Sequence, residues 1–225
     1  MGLLNKTFDL AKKATGAVAD AAGKKIAEAK QKREEEERRF IAEFPYKYRY
    51  IIRQKDAVSI DLVLWDVLER DSYVIYNADE EPVYIAKGTV MMGKHHFIIT
   101  NPEKQVMGKV NKALFNVPIP FMKERKTCSI ELAGQDAFDM ETCISFNERE
   151  YTVSKSGMTI KADNREKEFQ VYDKKNKKPI IHIYKVRSDE GFFNDKYFVG
   201  FDEEANKMLA LLMTIGIDTI RFGED

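Results

Sequence analysis

Five side chains are the only thiols and imidazoles of the chain: Cys128, Cys143, His95, His96 and His182. A cysteine beside a histidine can make a thiolate nucleophile and its base, and clustered Cys and His can hold zinc. The spacing supports neither. Cys128 and Cys143 stand 15 residues apart in strand-like runs, which matches no zinc pattern, and they read as small buried residues. His95 and His96 follow Gly93 and Lys94 and read as an exposed loop at a strand end. On a strand their rings would point to opposite faces and share no metal. His182 with either cysteine lacks any local signature of a catalytic pair. The sequence also contains no phosphate-binding G-x-x-x-x-G-K-[ST], no dinucleotide G-x-G-x-x-G, no H-E-x-x-H and no G-x-S-x-G. The expectation is a non-enzymatic protein with no catalytic residue, no metal and no cofactor.

The bulk composition points the same way. Lys plus Arg equals Asp plus Glu at 37 each, so the basic excess of a dedicated nucleic-acid binder is missing and no nucleic-acid partner is expected. Two cysteines in 225 residues suit a reducing compartment. Asp9, Lys12 and Lys13 break any secretory core at the N-terminus, and Lys6 spoils a myristoylation pattern after Gly2. No run approaches the roughly 20 apolar residues of a spanning helix. A cytoplasmic protein, peripheral at most at the inner membrane face, is the expectation.

The elements that would position any site fall into three zones. Residues 3–40 read as one long helix. Leu4, Phe8, Ala11, Val18, Ala22, Ile26 and Ala29 share a narrow stripe at the helical period. Six lysines precede residue 31, against Asp9, Asp20 and Glu28. Lys6, Lys12, Lys13 and Lys24 are the candidate contacts to an anionic surface, and the stripe is the face for membrane or partner. The stretch QKREEEERR then has no apolar residue and reads as a solvated helical spacer, with Glu34–Arg38 and Glu35–Arg39 at pairing distance in sequence. Residues 41–72 are ambiguous. PYKYRYII alternates like a strand, DAVSIDLVLWDVLER fits a helix or two strands, and Trp65 sits among leucines as a core residue. From residue 73 to 201, strand-like runs recur at even spacing with turn signals such as NADEEP, NPEK and the basic DKKNKKP. That rhythm predicts a barrel or sandwich. The basic turn reads as solvated, with an anionic headgroup as the sharper alternative.

DEEANKMLALLMTIGIDTI, residues 202–220, follows the last strand. A helix over 203–216 would be about 21 Å long, too short for a ~30 Å bilayer core. Its apolar residues cover the whole circumference, so it must be buried on all sides. Asp202 is the expected N-cap, with Glu203 and Glu204 at the positive helix end. The only space able to take such a helix is one enclosed by the preceding strands.

Four stretches, in this order, resemble the LURP-one-related proteins: YVIYNADEEPVYIAKG, ITNPEKQVMGKV, VYDKKNKKPIIHIYK and DKYFVGFDEEANKMLALLMTIGID. The resemblance covers roughly residues 70–220. It implies the fold shared with the Tubby C-terminal domain and the phospholipid scramblases: a closed antiparallel barrel of about twelve strands around a central hydrophobic C-terminal helix. It carries no site residue over, and the N-terminal extension lies outside it. The expected organisation is an extension over 1–42 and a barrel over 43–225. Two functional classes remain open. One is a binding module whose N-terminal helix docks on an anionic membrane surface. The other is an interaction protein whose helix binds a partner or itself.

Overall fold

A computed structural model describes residues 48–55, 72–91, 94–113, 127–135, 137–144, 149–163, 166–173, 178–186 and 196–222, with scattered positions between 23 and 38. The chain divides into two compact units, Met1–Pro45 and Tyr46–Asp225. In the first, the described positions, among them Lys24, Glu28, Gln31, Glu34, Glu35 and Arg38, are helical and exposed. Leu4, Lys6, Phe8, Ala11, Lys12, Lys13, Val18, Ala22 and Ile26 lie outside the described residues. So do the ambiguous stretch 56–71 with Trp65 and most of the DKKNKKP turn.

The second unit is a closed barrel. Its twelve strands are β1 (Tyr48–Lys55), β2 (Ser72–Tyr76), β3 (Pro82–Met91), β4 (Lys94–Thr100), β5 (Val106–Ala113), β6 (Thr127–Leu132), β7 (Phe138–Ile144), β8 (Arg149–Val153), β9 (Met158–Ala162), β10 (Glu168–Asp173), β11 (Pro179–Val186) and β12 (Lys196–Phe201). Each pairs antiparallel with its sequence neighbour, and β1 closes the ring against β12 through pairs such as Ile52↔Tyr197. The described part of PYKYRYII, from Tyr48 on, is therefore strand, as its alternation suggested, and β1 is the strand that seals the barrel.

Alternation decides which side chains enter the lumen. On β6 these are Cys128, Ile130 and Leu132, and on β10 Phe169 and Val171, all buried. Register carries the pattern around the wall: Ala86↔Ile99, Val110↔Ile130, Ile160↔Val171 and Ile183↔Val199 are all pairs of lumen-facing residues. The turns are equally legible. Asn77, Asn101 and Asp163 each accept backbone N–H bonds through the side chain, at 2.8 Å from Glu81, 2.8 Å from Gln105 and 2.7 Å from Lys167. Each starts a turn whose fourth residue is left-handed: Glu80, Lys104 and Glu166 have φ of 59°, 63° and 54°. An Asx side chain that bonds its own turn stabilises this geometry without glycine.

The lumen is filled by a central helix, Lys207–Phe222. It starts four residues later and ends six later than the apolar run implied. Asn206, not Asp202, is the N-cap, because its side-chain oxygen accepts the Leu209 N–H at 3.1 Å. Asp202 to Ala205 instead make the turn that reverses the chain from β12 into the barrel, with Ala205 N–H bonding the Asp202 carbonyl at 3.1 Å. Every residue from Met208 to Ile220 is buried. Thr214 and Thr219 satisfy their hydroxyls on the carbonyls of Ala210 and Ile215, at 2.9 and 2.6 Å, and so add no unmet polar group.

Two glycines set how closely helix and wall approach. A Cβ on Gly108 of β5 would stand 2.6 Å from a Leu212 methyl and 2.9 Å from the Glu131 carbonyl oxygen. A Cβ on Gly216 of the helix would stand 2.8 Å from the Met140 methyl and 3.1 Å from the Cys128 sulfur. Burial of each large apolar helix residue contributes about 1.5–3 kcal/mol. Leu212, with no exposed surface, is therefore a decisive position. Leu212→Asp should abolish the folded barrel, because it places an unpaired charge in the lumen. A soluble variant with a cooperative thermal melt would show that the helix is not the core.

Candidate functional site

The described barrel has two ends. One carries the β2–β3, β4–β5, β6–β7, β8–β9 and β10–β11 turns and the start of the central helix. The other carries the remaining connections and the helix's C-terminal turn. Polar side chains enter the lumen at this second end. Alternation on β11 brings Ile181, Ile183 and then Lys185 inward, and on β5 Val110 and then Lys112. Tyr73 and Tyr197 occupy the matching rows of β2 and β12.

These groups converge on the end of the helix. The Tyr73 and Tyr197 hydroxyls donate to the two different oxygens of Asp218, which is 4% exposed. Lys185 Nζ lies 3.5 Å from Asp218 Oδ1 and 5.3 Å from the centre of the Tyr197 ring. Lys112 Nζ donates to the Thr219 carbonyl at 2.9 Å. That bond caps one of the carbonyls a helix leaves unmet at its C-terminus and puts a cation at the negative end of the dipole. β5 and β11 are six places apart in a ring of twelve, so the two lysines grip the helix end from opposite walls. The cluster fastens: its carboxylate is occupied by two phenols and an ammonium.

The neighbouring thiol is not poised for chemistry. Cys128 pairs with Lys112 in register and is 3% exposed. Burial pushes its pKa up to about 12, outweighing the lowering by Lys112, so it stays a thiol at neutral pH. The Cys143 side chain is outside the described residues, although its backbone is in β7.

At the opposite mouth, Lys207 Nζ sits 5.4 Å from the Tyr84 ring centre and 6.0 Å from that of Tyr50. Tyr50 stacks on Phe201 at 5.7 Å. A hydrogen bond to Tyr84 is the main cause that raises the Lys207 pKa. This cation stands in the first helical turn, against the dipole, and the two phenols compensate it.

His95 and His96 lie within β4 rather than in a loop, because β4 begins at Lys94, and His96 faces the outer wall, opposite to buried Phe97. His96 Nδ1 is 2.7 Å from Asn111 Oδ1, and Asn111 Nδ2 donates to Glu131 at 3.0 Å. The carboxylate accepts only, so it fixes the amide, and the amide fixes the proton on Nδ1. A shallow groove begins beside this network, lined by Val106, Lys109, Glu131, Gln135 and Ala137. His182 is in β11, with Nε2 3.8 Å from Glu168 Oε2, and its partners in register are Gln170 and Gly200 rather than a cysteine. Among the described residues no group of three or more His, Cys, Asp or Glu could hold a metal. No described helix is long and apolar enough to cross a membrane.

Of the residues singled out for an anionic surface, only Lys24 is described; it is helical and exposed. The Asp218 cluster was missed. Its signal was present as a lysine closing an inward row, Ile181–Ile183–Lys185, and an aspartate closing an apolar helix.

A closed twelve-stranded barrel threaded by its own C-terminal helix is the architecture the resemblance implied. A family model described as LURP-one-related matches residues 60–218. The chain belongs to the LURP-one-related family. That match spans most of the chain, from before β2 to Asp218 itself. Neither the curated proteins nor the solved structures contain a match.

The environment of His182 generates a pH dependence in this family member. Burial lowers its pKa from the ordinary 6.5, so the folded state disfavours the imidazolium. The unfolded chain then binds its proton first as pH falls, and stability is lost on passing below 6.5. The melting temperature should fall between pH 7.5 and 5.5, and His182→Gln should flatten that segment. An unchanged slope in the variant would remove His182 as the source.

Proposed function

We propose that this protein is a non-enzymatic binding module, tethered by its N-terminal segment to an anionic membrane surface at the cytoplasmic face. The observation that carries the reading is the filled lumen. The space that a barrel of this size could offer a ligand is taken by the protein's own helix, every residue of which is buried from Met208 to Ile220. Recognition then belongs to the outer wall, the rims and the extension. The buried charges of Lys112, Lys185 and Asp218 are engaged in holding that helix, which supports a scaffold role rather than turnover.

The extension supplies the tether. Lys6, Lys12, Lys13 and Lys24 accompany the stripe Leu4, Phe8, Ala11, Val18, Ala22 and Ile26, a basic amphipathic pattern suited to anionic headgroups. The neutral overall charge favours a local contact of this kind over nucleic acid. A second reading, self-association or a protein partner through the same segment, draws on the spacer. Gln31, Glu34, Glu35 and Arg38 are helical and exposed, and Gln31 lies 3.5 Å from Glu35 along that surface.

Flotation of the full chain with vesicles decides between them. The protein should float with phosphatidylserine-containing vesicles, remain behind with pure phosphatidylcholine, and lose flotation when Lys6, Lys12, Lys13 and Lys24 are changed to Glu. Absence of flotation together with a concentration-dependent mass in light scattering would replace the membrane reading with self-association.

A further inference from the structure

We draw no further inference here: the strongest candidate, the apolar outer face of β12, β1 and β2, where Phe198, Ile51 and Val74 alternate away from the lumen yet are only 5%, 8% and 8% exposed, carries nothing because nothing in the structure shows what covers it.

Discussion

A lumen enclosed by twelve strands is too wide for wall side chains to fill, and the whole structure depends on how that void is occupied. Barrels of about eight strands close over their own side chains, whereas wider ones need a plug or hold water. Here the plug is the C-terminal helix. Its sequence is apolar on every side because every side meets a wall. The wall answers with Ile, Val, Phe and Tyr at alternate positions of all its strands. Gly108 and Gly216 mark where the fit is tightest, each leaving out a side chain that would overlap a neighbour at under 3.0 Å.

Apolar burial alone is non-directional and would leave the helix poorly defined in rotation and depth. The polar ends supply the direction. Asn206 caps the start and Lys207 is engaged by Tyr50 and Tyr84 at the mouth. At the far end Asp218 binds β2, β11 and β12, while Lys112 reaches across from β5. The same few contacts meet the helix's unsatisfied carbonyls and orient the plug.

Filling the lumen has a consequence for function. A lumen occupied by the chain's own helix leaves the wall and the rims as the accessible surface, and the family match runs through that core: residues 60–218 extend to Asp218. The outer wall carries the Glu131–Asn111–His96 network.

Much of this was legible in the sequence. Period-two alternation predicted the strands because a one-residue slip would turn Ile, Val and Phe to solvent. Asn77 and Asn101 announced their turns because an Asx side chain bonds locally. An all-round apolar segment after the last strand required an enclosing wall, whatever the wall's details. The sequence could not say that Tyr48–Lys55 closes the ring, since closure is a pairing between residues almost 150 positions apart, Ile52 with Tyr197. Nor could it place His96 in a strand, or start the helix at Lys207, because the choice between Asp202 and Asn206 as cap rests on where the chain turns back from β12. The Asp218 cluster needed the tertiary structure most. Tyr73, Lys112, Lys185, Tyr197 and Asp218 are scattered along the chain and individually unremarked. Only the curvature of a closed sheet aims them at one helix end, and burial keeps water from competing for their charges and hydroxyls.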